Sequence, residues 1–255
     1  NHGAHDMPCF MGCGAYDHFY PALIDQLISR GEFLTSYTPY QAEASQGSLQ
    51  AFFEFQTQIA RLTGLDIANA SLYDGATAVA EAALLAVNTT KRNEVLVAST
   101  MHPEYIAVLN TVLSDLDITI TMLEATDGKI SPATVETKMS DKVAGVIVQS
   151  PNIWGQIEDW DGCFSVVHKT PKTAAIAVFN PIACGILKTP GECGADIAAG
   201  EGQTLGNALN LGGPYLGLLA TKEVYIRKMP GRLVGMTTDE DGRRVFCLTL
   251  QTREQ

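Results

Sequence analysis

The sequence predicts an α/β fold, a mostly parallel β-sheet that is covered by helices on both faces. From Asp74 onward, short apolar segments alternate with segments of helical periodicity, which is the pattern of parallel strands joined by crossover helices. The short segments are apolar throughout, as expected for strands that are covered on both faces. A chain of 255 residues with 46% hydrophobic and 18% charged residues is long enough to bury such a sheet.

Residues 1–65 are predicted to form an N-terminal helical arm with an aromatic loop. The first 15 residues are rich in Gly, Pro and His without periodicity and indicate loop. Apolar residues then recur at helical spacing, which predicts an amphipathic helix over 16–31 and a second helix from residue 49 that Gly64 closes. The loop between the two helices is unusually aromatic.

Residues 66–235 are predicted to form the large domain, and 236–255 the start of a connector to a further part of the protein. The connector is rich in Thr and Asp and could hold a short strand over 245–250. Within the large domain the predicted elements are helices over 75–88, 103–113, 132–139, 160–168 and 222–228, and strands over 95–98, 118–123, 143–149, 174–179 and 215–220.

Composition excludes several classes of function. A net charge of −11 disfavours nucleic-acid binding, which depends on clustered Lys and Arg. No apolar run approaches the roughly 20 residues that span a bilayer, so no membrane partner is expected. The six cysteines show no metal-ligand spacing, and Cys9 and Cys13, four residues apart, are not expected to bind metal. Free thiols favour a reducing cytoplasm.

The helix that starts near Gly75 is a candidate phosphate site, because the N-termini of helices attract anions. Small residues open it in the order Asp74, Gly75, Ala76, Thr77. A Gly-Ala helix start also serves plain packing, however, and Asp74 fits an N-cap whose carboxylate would repel a phosphate.

Two further candidates follow predicted strands, at the carboxyl edge where α/β sheets bind ligands. His102 comes after the strand over 95–98, where a capping or packing role is the alternative. Asn180 comes after the strand over 174–179, where a turn is the simplest interpretation. The glycine-rich stretch 194–206 contains no Lys. No G-x-S-x-G, G-x-G-x-x-G or Walker motif occurs.

Long motifs in order along the chain resemble the N-terminal half of glycine decarboxylases, the P-proteins of the glycine cleavage system. The matching segments are 14–18, 29–33, 37–41, 45–47, 68–71, 73–78, 102–105, 149–152, 200–203, 212–217 and 229–232. Such a series of matches is far more specific than any single motif.

The resemblance implies a fold type I pyridoxal-phosphate-dependent transferase-like domain whose cofactor site is degenerate. Thr204 stands where the cofactor lysine of the family's other half is expected, and Asn180 where the aspartate that holds the pyridine nitrogen is expected. Neither residue can do that chemistry. The degenerate site would comprise Asp74, Gly75, Ala76, Thr77 and His102. This chain is thus expected to carry no catalytic residue alone and no covalently bound pyridoxal phosphate.

The resemblance also implies a partner-dependent enzyme. Pyridoxal phosphate would be held by a second subunit or a C-terminal half, where glycine loses carbon dioxide and its aminomethyl group passes to the lipoylated H-protein. This chain would supply the opposing wall. The residues expected at the shared site or interface are Tyr37, Thr38, Tyr40, Gln41, Ser45 and Gln46. The alternative for this loop is packing on its own domain.

Two other functions stay open at this point. The chain could be a self-sufficient pyridoxal-phosphate enzyme that uses Lys188 or Lys222, although neither lysine has the expected sequence setting. It could also be an interaction module without a part in catalysis.

Overall fold

A computed structural model describes residues 18–209 and 215–251. The predictions for the first 15 residues and for Cys9 and Cys13 lie outside these ranges, as does part of the matching segment 212–217.

The body of the protein is a seven-stranded sheet in the order β1-β7-β6-β5-β4-β2-β3. Its strands are β1 Ile67–Ala68, β2 Glu94–Ala98, β3 Thr119–Leu123, β4 Val143–Ser150, β5 Ala174–Phe179, β6 Ile197–Glu201 and β7 Gly217–Thr221. Strands β3, β2, β4, β5 and β6 pair in parallel, whereas β7 is antiparallel to both β6 and β1. The sheet is therefore mostly parallel, as predicted.

Helices cover both faces of this sheet. The helices are α1 Leu23–Ile28, α2 Gly31–Leu34, α3 Gln46–Thr63, α4 Gly75–Thr90, α5 Pro103–Leu113, α6 Pro132–Lys138 and α7 Trp160–Val167. One buried cluster holds Ile59 of α3, Val135 of α6 and Phe164 of α7. The other holds Ala82 of α4 and Leu109 of α5. The predicted two-sided coverage is confirmed.

Most predicted elements agree with the structure to within two residues, but the glycine-rich stretch 194–206 contains the unpredicted strand β6. Its Ala198, Ala199 and Gly200 give little apolar signal, although all three are buried. The predicted basic helix over 222–228 is a 3-10 helix, Glu223–Lys228.

The N-terminal arm differs more from its prediction. In place of one amphipathic helix over 16–31 there are two short helices, α1 and α2, and neither buries a residue. The second predicted helix, α3, ends as expected at Gly64, which adopts a left-handed conformation (φ 68°). A Cβ at Gly64 would also lie 2.6 Å from Thr189 Oγ1.

The described part of the stretch predicted as a connector, 236–255, includes most of a β-hairpin, whose second strand agrees with the short strand predicted over 245–250. Strands β8 (Leu233–Thr238) and β9 (Arg244–Thr249) pair antiparallel, and the predicted boundary at residue 235 falls inside β8. The hairpin packs on α3, with Leu49, Val234 and Phe246 forming a small core. The α3 residues therefore belong with the body rather than with an arm ending at residue 65.

Two glutamines of α3 hold the hairpin through paired hydrogen bonds. The Gln46 side chain accepts from the Phe246 N–H (2.9 Å) and donates to the Phe246 carbonyl (2.8 Å). The Gln56 side chain makes the same pair of bonds with Val234, at 2.9 and 3.1 Å. Each amide thus pairs with a strand residue as a neighbouring backbone would.

Candidate functional site

A cavity of about 280 Å³ opens at the carboxyl edge of the parallel strands. It is lined by residues that lie at or after the ends of different strands, among them His102, Tyr105, Gln149, Asn180, Glu201 and Thr204. Three residues singled out from the sequence, His102, Asn180 and Thr204, are therefore brought together by the fold. This is the edge at which parallel α/β sheets bind ligands.

His102 begins α5 and is buried in the cavity wall. Its Nδ1 accepts the backbone N–H of Glu104 (3.1 Å), and its ring stacks on Tyr105 with 5.1 Å between centroids. Because Nδ1 accepts, the proton of the neutral imidazole lies on Nε2. That atom is buried and has no hydrogen-bond partner among the described residues. The capping role considered from the sequence is confirmed, and the Nε2–H group is a buried donor without an acceptor among the described residues.

Asn180 and Thr204 also combine a local role with a place in the cavity wall. Asn180 Oδ1 accepts from the backbone N–H of Ile182 (2.9 Å), so the residue does form the turn that was its simplest interpretation. Thr204 lies in the short 3-10 helix Gln203–Leu205 and is buried. Its Oγ1 has no hydrogen-bond partner within residues 18–209 and 215–251.

The N-terminus of α4 is occupied by carboxylates of the chain itself. Asp74 is the N-cap, as predicted, and forms a capping box in which its Oδ1 accepts from the Thr77 N–H (2.8 Å). The Gly75 N–H donates to Glu201 Oε2 (2.8 Å). Gly75 is required here, since a Cβ would collide with the Tyr105 hydroxyl and lie 2.9 Å from Glu201 Cβ. Ala76 follows as the second residue of α4.

Glu201, the last residue of β6, was not identified from the sequence. Its Oε1 accepts from the N–H groups of Gln203 (2.8 Å) and Leu216 (3.0 Å), in addition to the bond from Gly75 to Oε2. Burial raises the pKa of the Glu201 carboxyl, while these three N–H groups lower it. The only sequence signal was an acidic residue between two glycines at a strand end, which is weak without a visible strand.

This cavity does not fit a lysine-bound pyridoxal phosphate. None of its lining residues is Lys or Arg, and two N–H groups at the start of α4, those of Gly75 and Thr77, are bound to Glu201 and Asp74. Lys188 pairs instead with Asp161 (2.9 Å). Lys222 pairs with Asp196 (2.6 Å) at the opposite, amino edge of the sheet.

The aromatic loop does not line this cavity. Tyr37 and Thr38 line a separate hollow of about 520 Å³ that shares no lining residue with the cavity. The Tyr37 side chain is 83% exposed. The Tyr40 hydroxyl accepts from Arg232 Nη2 (2.9 Å).

The other three loop residues of the predicted interface have different surroundings. Gln41 is exposed, and Ser45 precedes α3 without a side-chain cap bond. Gln46 is engaged by the hairpin. Part of this loop therefore packs on its own domain, which was the alternative interpretation.

Residues 18–209 and 215–251 contain no group of three or more His, Cys, Asp or Glu that could hold a metal ion. None of the helices formed by them has both the length and the apolar character needed to cross a bilayer.

The known proteins that are similar to this chain agree with one another in their descriptions. The family model described as "Glycine cleavage system P-protein" matches residues 3–255. A probable glycine dehydrogenase (decarboxylating) subunit 1 of Desulforamulus reducens is 52% identical over all of this chain and 57% of its own length. The corresponding protein of Moorella thermoacetica is 50% identical over 96% of this chain and 55% of its own. This chain thus spans a little over half the length of these relatives.

Solved structures agree with these matches. A glycine decarboxylase (P-protein) of the glycine cleavage system, crystallised in inhibitor-bound form, superposes with a TM-score of 0.90 at 48% identity, covering 95% of this chain and 54% of its own. A pyridoxamine-pyruvate aminotransferase from Mesorhizobium loti shares the fold, with a TM-score of 0.58 at 17% identity over 83% of this chain and 51% of its own. The fold is therefore that of pyridoxal-phosphate-dependent transferases, and the chain belongs to the glycine cleavage system P-protein family.

Proposed function

We propose that this chain is the half of a glycine decarboxylase that does not hold the cofactor. It would act in the cytoplasm, with a second subunit or C-terminal half that binds pyridoxal phosphate through a lysine and decarboxylates glycine. The lipoylated H-protein would then receive the aminomethyl group. The observation that carries this proposal is the cavity at the carboxyl edge, which has the place of a cofactor site but no lysine in its lining.

The chemistry of the missing lysine explains why a partner is needed. A pyridoxal-phosphate enzyme needs an amine to capture the cofactor and an anion beside the ring nitrogen. At the two corresponding positions this chain has Thr204 and Asn180, which supply neither group. The relatives that match it over its whole length are described as subunit 1 of a glycine dehydrogenase (decarboxylating), a name that implies a second subunit.

The surface expected to meet the partner is the N-terminal arm together with the aromatic loop. Neither α1 nor α2 buries a residue, and large apolar side chains stand exposed along them and into the loop. These side chains are Phe19, Leu23, Leu27, Ile28, Phe33, Leu34 and Tyr37. A continuous series of exposed apolar residues is typical of a protein interface. In this arrangement the chain would form the wall that faces the partner's cofactor.

Reconstitution tests the proposal. The full-length protein that contains this chain is mixed with its lysine-bearing partner, H-protein and glycine, and exchange of labelled carbon dioxide into glycine is measured. We expect exchange only when both halves are present. Exchange by the partner alone would reduce this chain to an interaction module. A yellow colour on adding pyridoxal phosphate to this chain alone, lost on borohydride treatment, would instead make it a self-sufficient enzyme.

A matched pair of variants tests the interface. Leu34 in the arm and Val224 in the 3-10 helix after β7 are similarly exposed, at 72% and 76%. We expect Leu34→Asp to weaken association with the partner at least tenfold, because a charge would be buried on binding. Val224→Asp should leave the dissociation constant unchanged. Equal effects of the two variants would place the interface elsewhere.

A further inference from the structure

The N-terminus of a helix attracts anions through its first N–H groups and the helix dipole, and α4 begins beside the cavity, where a Cβ at Gly75 would meet the lining residues Tyr105 and Glu201. In this chain two of those N–H groups, those of Gly75 and Thr77, have carboxylate partners. The Gly75 N–H donates to Glu201 Oε2 and the Thr77 N–H to Asp74 Oδ1, both at 2.8 Å. Asp74 is a local N-cap of a common kind. Glu201 is different, since it reaches the helix from a strand 126 residues away in sequence.

Glu201 is bound by the protein in the way that a small anion is bound. Its two oxygens accept N–H groups from three separate segments: Gly75 at the start of α4, Gln203 after β6, and Leu216 before β7. Convergent backbone N–H groups of this kind form the sites that hold phosphate in other proteins. Gly75 lacks a Cβ, and this lets the carboxylate come close to the helix.

We propose that Glu201 is a built-in anion that takes the place of a cofactor phosphate at the N-terminus of α4. The carboxylate ties α4, β6 and the start of β7 together, so this domain keeps its fold without pyridoxal phosphate. It also closes the cavity to phosphate-bearing ligands. This inference goes beyond the proposed function and rests on the contacts of Glu201 and on the pyridoxal-phosphate-type fold of the domain.

The charges around the cavity support the exclusion of anions. Glu201 is the one acidic residue in the lining of this cavity, which contains no Lys or Arg. An entering phosphate would approach both Glu201 and Asp74, and it would have to displace the Glu201 carboxylate from its three donors. Nearby carboxylates strongly disfavour the binding of an anionic ligand in a partly buried site.

The test uses inorganic phosphate as the probe and thermal unfolding of the full-length protein as the readout. Three variants are compared with the wild type. Glu201→Ala removes the anion, and Glu201→Gln keeps the shape of the side chain without its charge. The double variant Asp74→Ser, Glu201→Ala also removes the second carboxylate while keeping an N-cap residue. Glu223→Ala, which removes an exposed glutamate after β7, is the matched control.

We expect the wild type and Glu223→Ala to melt at the same temperature with and without millimolar phosphate. Glu201→Ala should melt several degrees lower and recover part of that loss in phosphate, and the double variant should respond most. Glu201→Gln, which retains one acceptor, should lose less stability and should gain a phosphate response that the wild type lacks.

Two results would overturn the proposal. One is a phosphate-dependent rise in the melting temperature of the wild type that matches that of Glu201→Ala. The other is a Glu201→Gln protein that is as stable as the wild type and equally insensitive to phosphate. Neither result depends on decarboxylation, so a failure of the proposed function in reconstitution would be recognised separately.

Discussion

Two sets of buried polar side chains, one at each edge of the sheet, differ in their hydrogen bonding. At the amino edge, Asp196 Oδ2 accepts the Ala175 N–H (2.8 Å) and pairs with His168 Nε2 (3.0 Å), while Oδ1 accepts from Lys222 Nζ (2.6 Å). At the carboxyl edge, His102 Nε2 and Thr204 Oγ1 are buried without a hydrogen-bond partner in the described part of the chain. Unsatisfied buried groups cost stability, so they are found mainly where a fold has served binding or catalysis. The comparison indicates that the Asp196 contacts stabilise the amino edge, whereas His102 Nε2 and Thr204 Oγ1 add no hydrogen bond within the described structure.

The largest effect is expected from Asp196→Ala at the amino edge. It leaves the buried Ala175 N–H without an acceptor and two basic side chains without their partner. We expect a loss of about 2–3 kcal/mol in the free energy of unfolding, discounted because His168 and Lys222 are partly exposed. Urea unfolding followed by circular dichroism measures this loss. Asp196→Asn, which keeps an acceptor, should lose less; equal losses would assign the effect to charge alone.

A smaller loss is expected from Thr173→Val, also at the amino edge. Thr173 Oγ1 accepts from Arg92 Nη1 (2.7 Å) and donates to the Val143 carbonyl (3.1 Å). Replacing the hydroxyl by a methyl group removes both bonds at a buried position, and we expect a cost of about 1–2 kcal/mol. The same unfolding measurement applies. A change below about 0.5 kcal/mol, the range usual for surface substitutions, would contradict the described role of the amino edge.

The smallest effect is expected from the same substitution at the carboxyl edge. Thr204→Val removes a buried hydroxyl that has no hydrogen-bond partner among the described residues. With no bond to lose, the free energy of unfolding should stay within about 0.5 kcal/mol of the wild type or rise slightly. The contrast with Thr173→Val sharpens the comparison, because the chemical change is identical. A loss at Thr204 as large as that at Thr173 would remove the distinction between the two edges.

Most of the sheet and its helices could be predicted from the sequence because their apolar periodicity is strong. Strand β5 and helix α5 have the predicted bounds, and α4 begins at the predicted N-cap, Asp74. The same reasoning missed β6, because alanine and glycine bury well but give little apolar signal. Strand β8 was also missed, whereas the possible short strand over 245–250 corresponds to β9.

The candidate site was predicted in part. His102, Asn180 and Thr204 do line one cavity, and Asp74 does cap α4. Glu201 could not be found, because its role depends on an N–H group 126 residues away and not on any local pattern. The N-terminal arm, by contrast, has a clear local pattern that did not lead to the predicted structure. Its apolar periodicity predicts a packed helix, yet α1 buries nothing within the described structure, since periodicity reveals an apolar face but not what covers it.

The hydrogen bonds that join α3 to the hairpin have a consequence for the newly made protein. Gln46 is synthesised 200 residues before Phe246, the strand residue with which it pairs. At typical rates of translation this interval lasts roughly 10–40 s. Throughout that time the hairpin-facing side of α3 has no partner. A nascent chain stalled before residue 246 should therefore offer this helix to chaperones, and release from them should coincide with emergence of the hairpin from the ribosome.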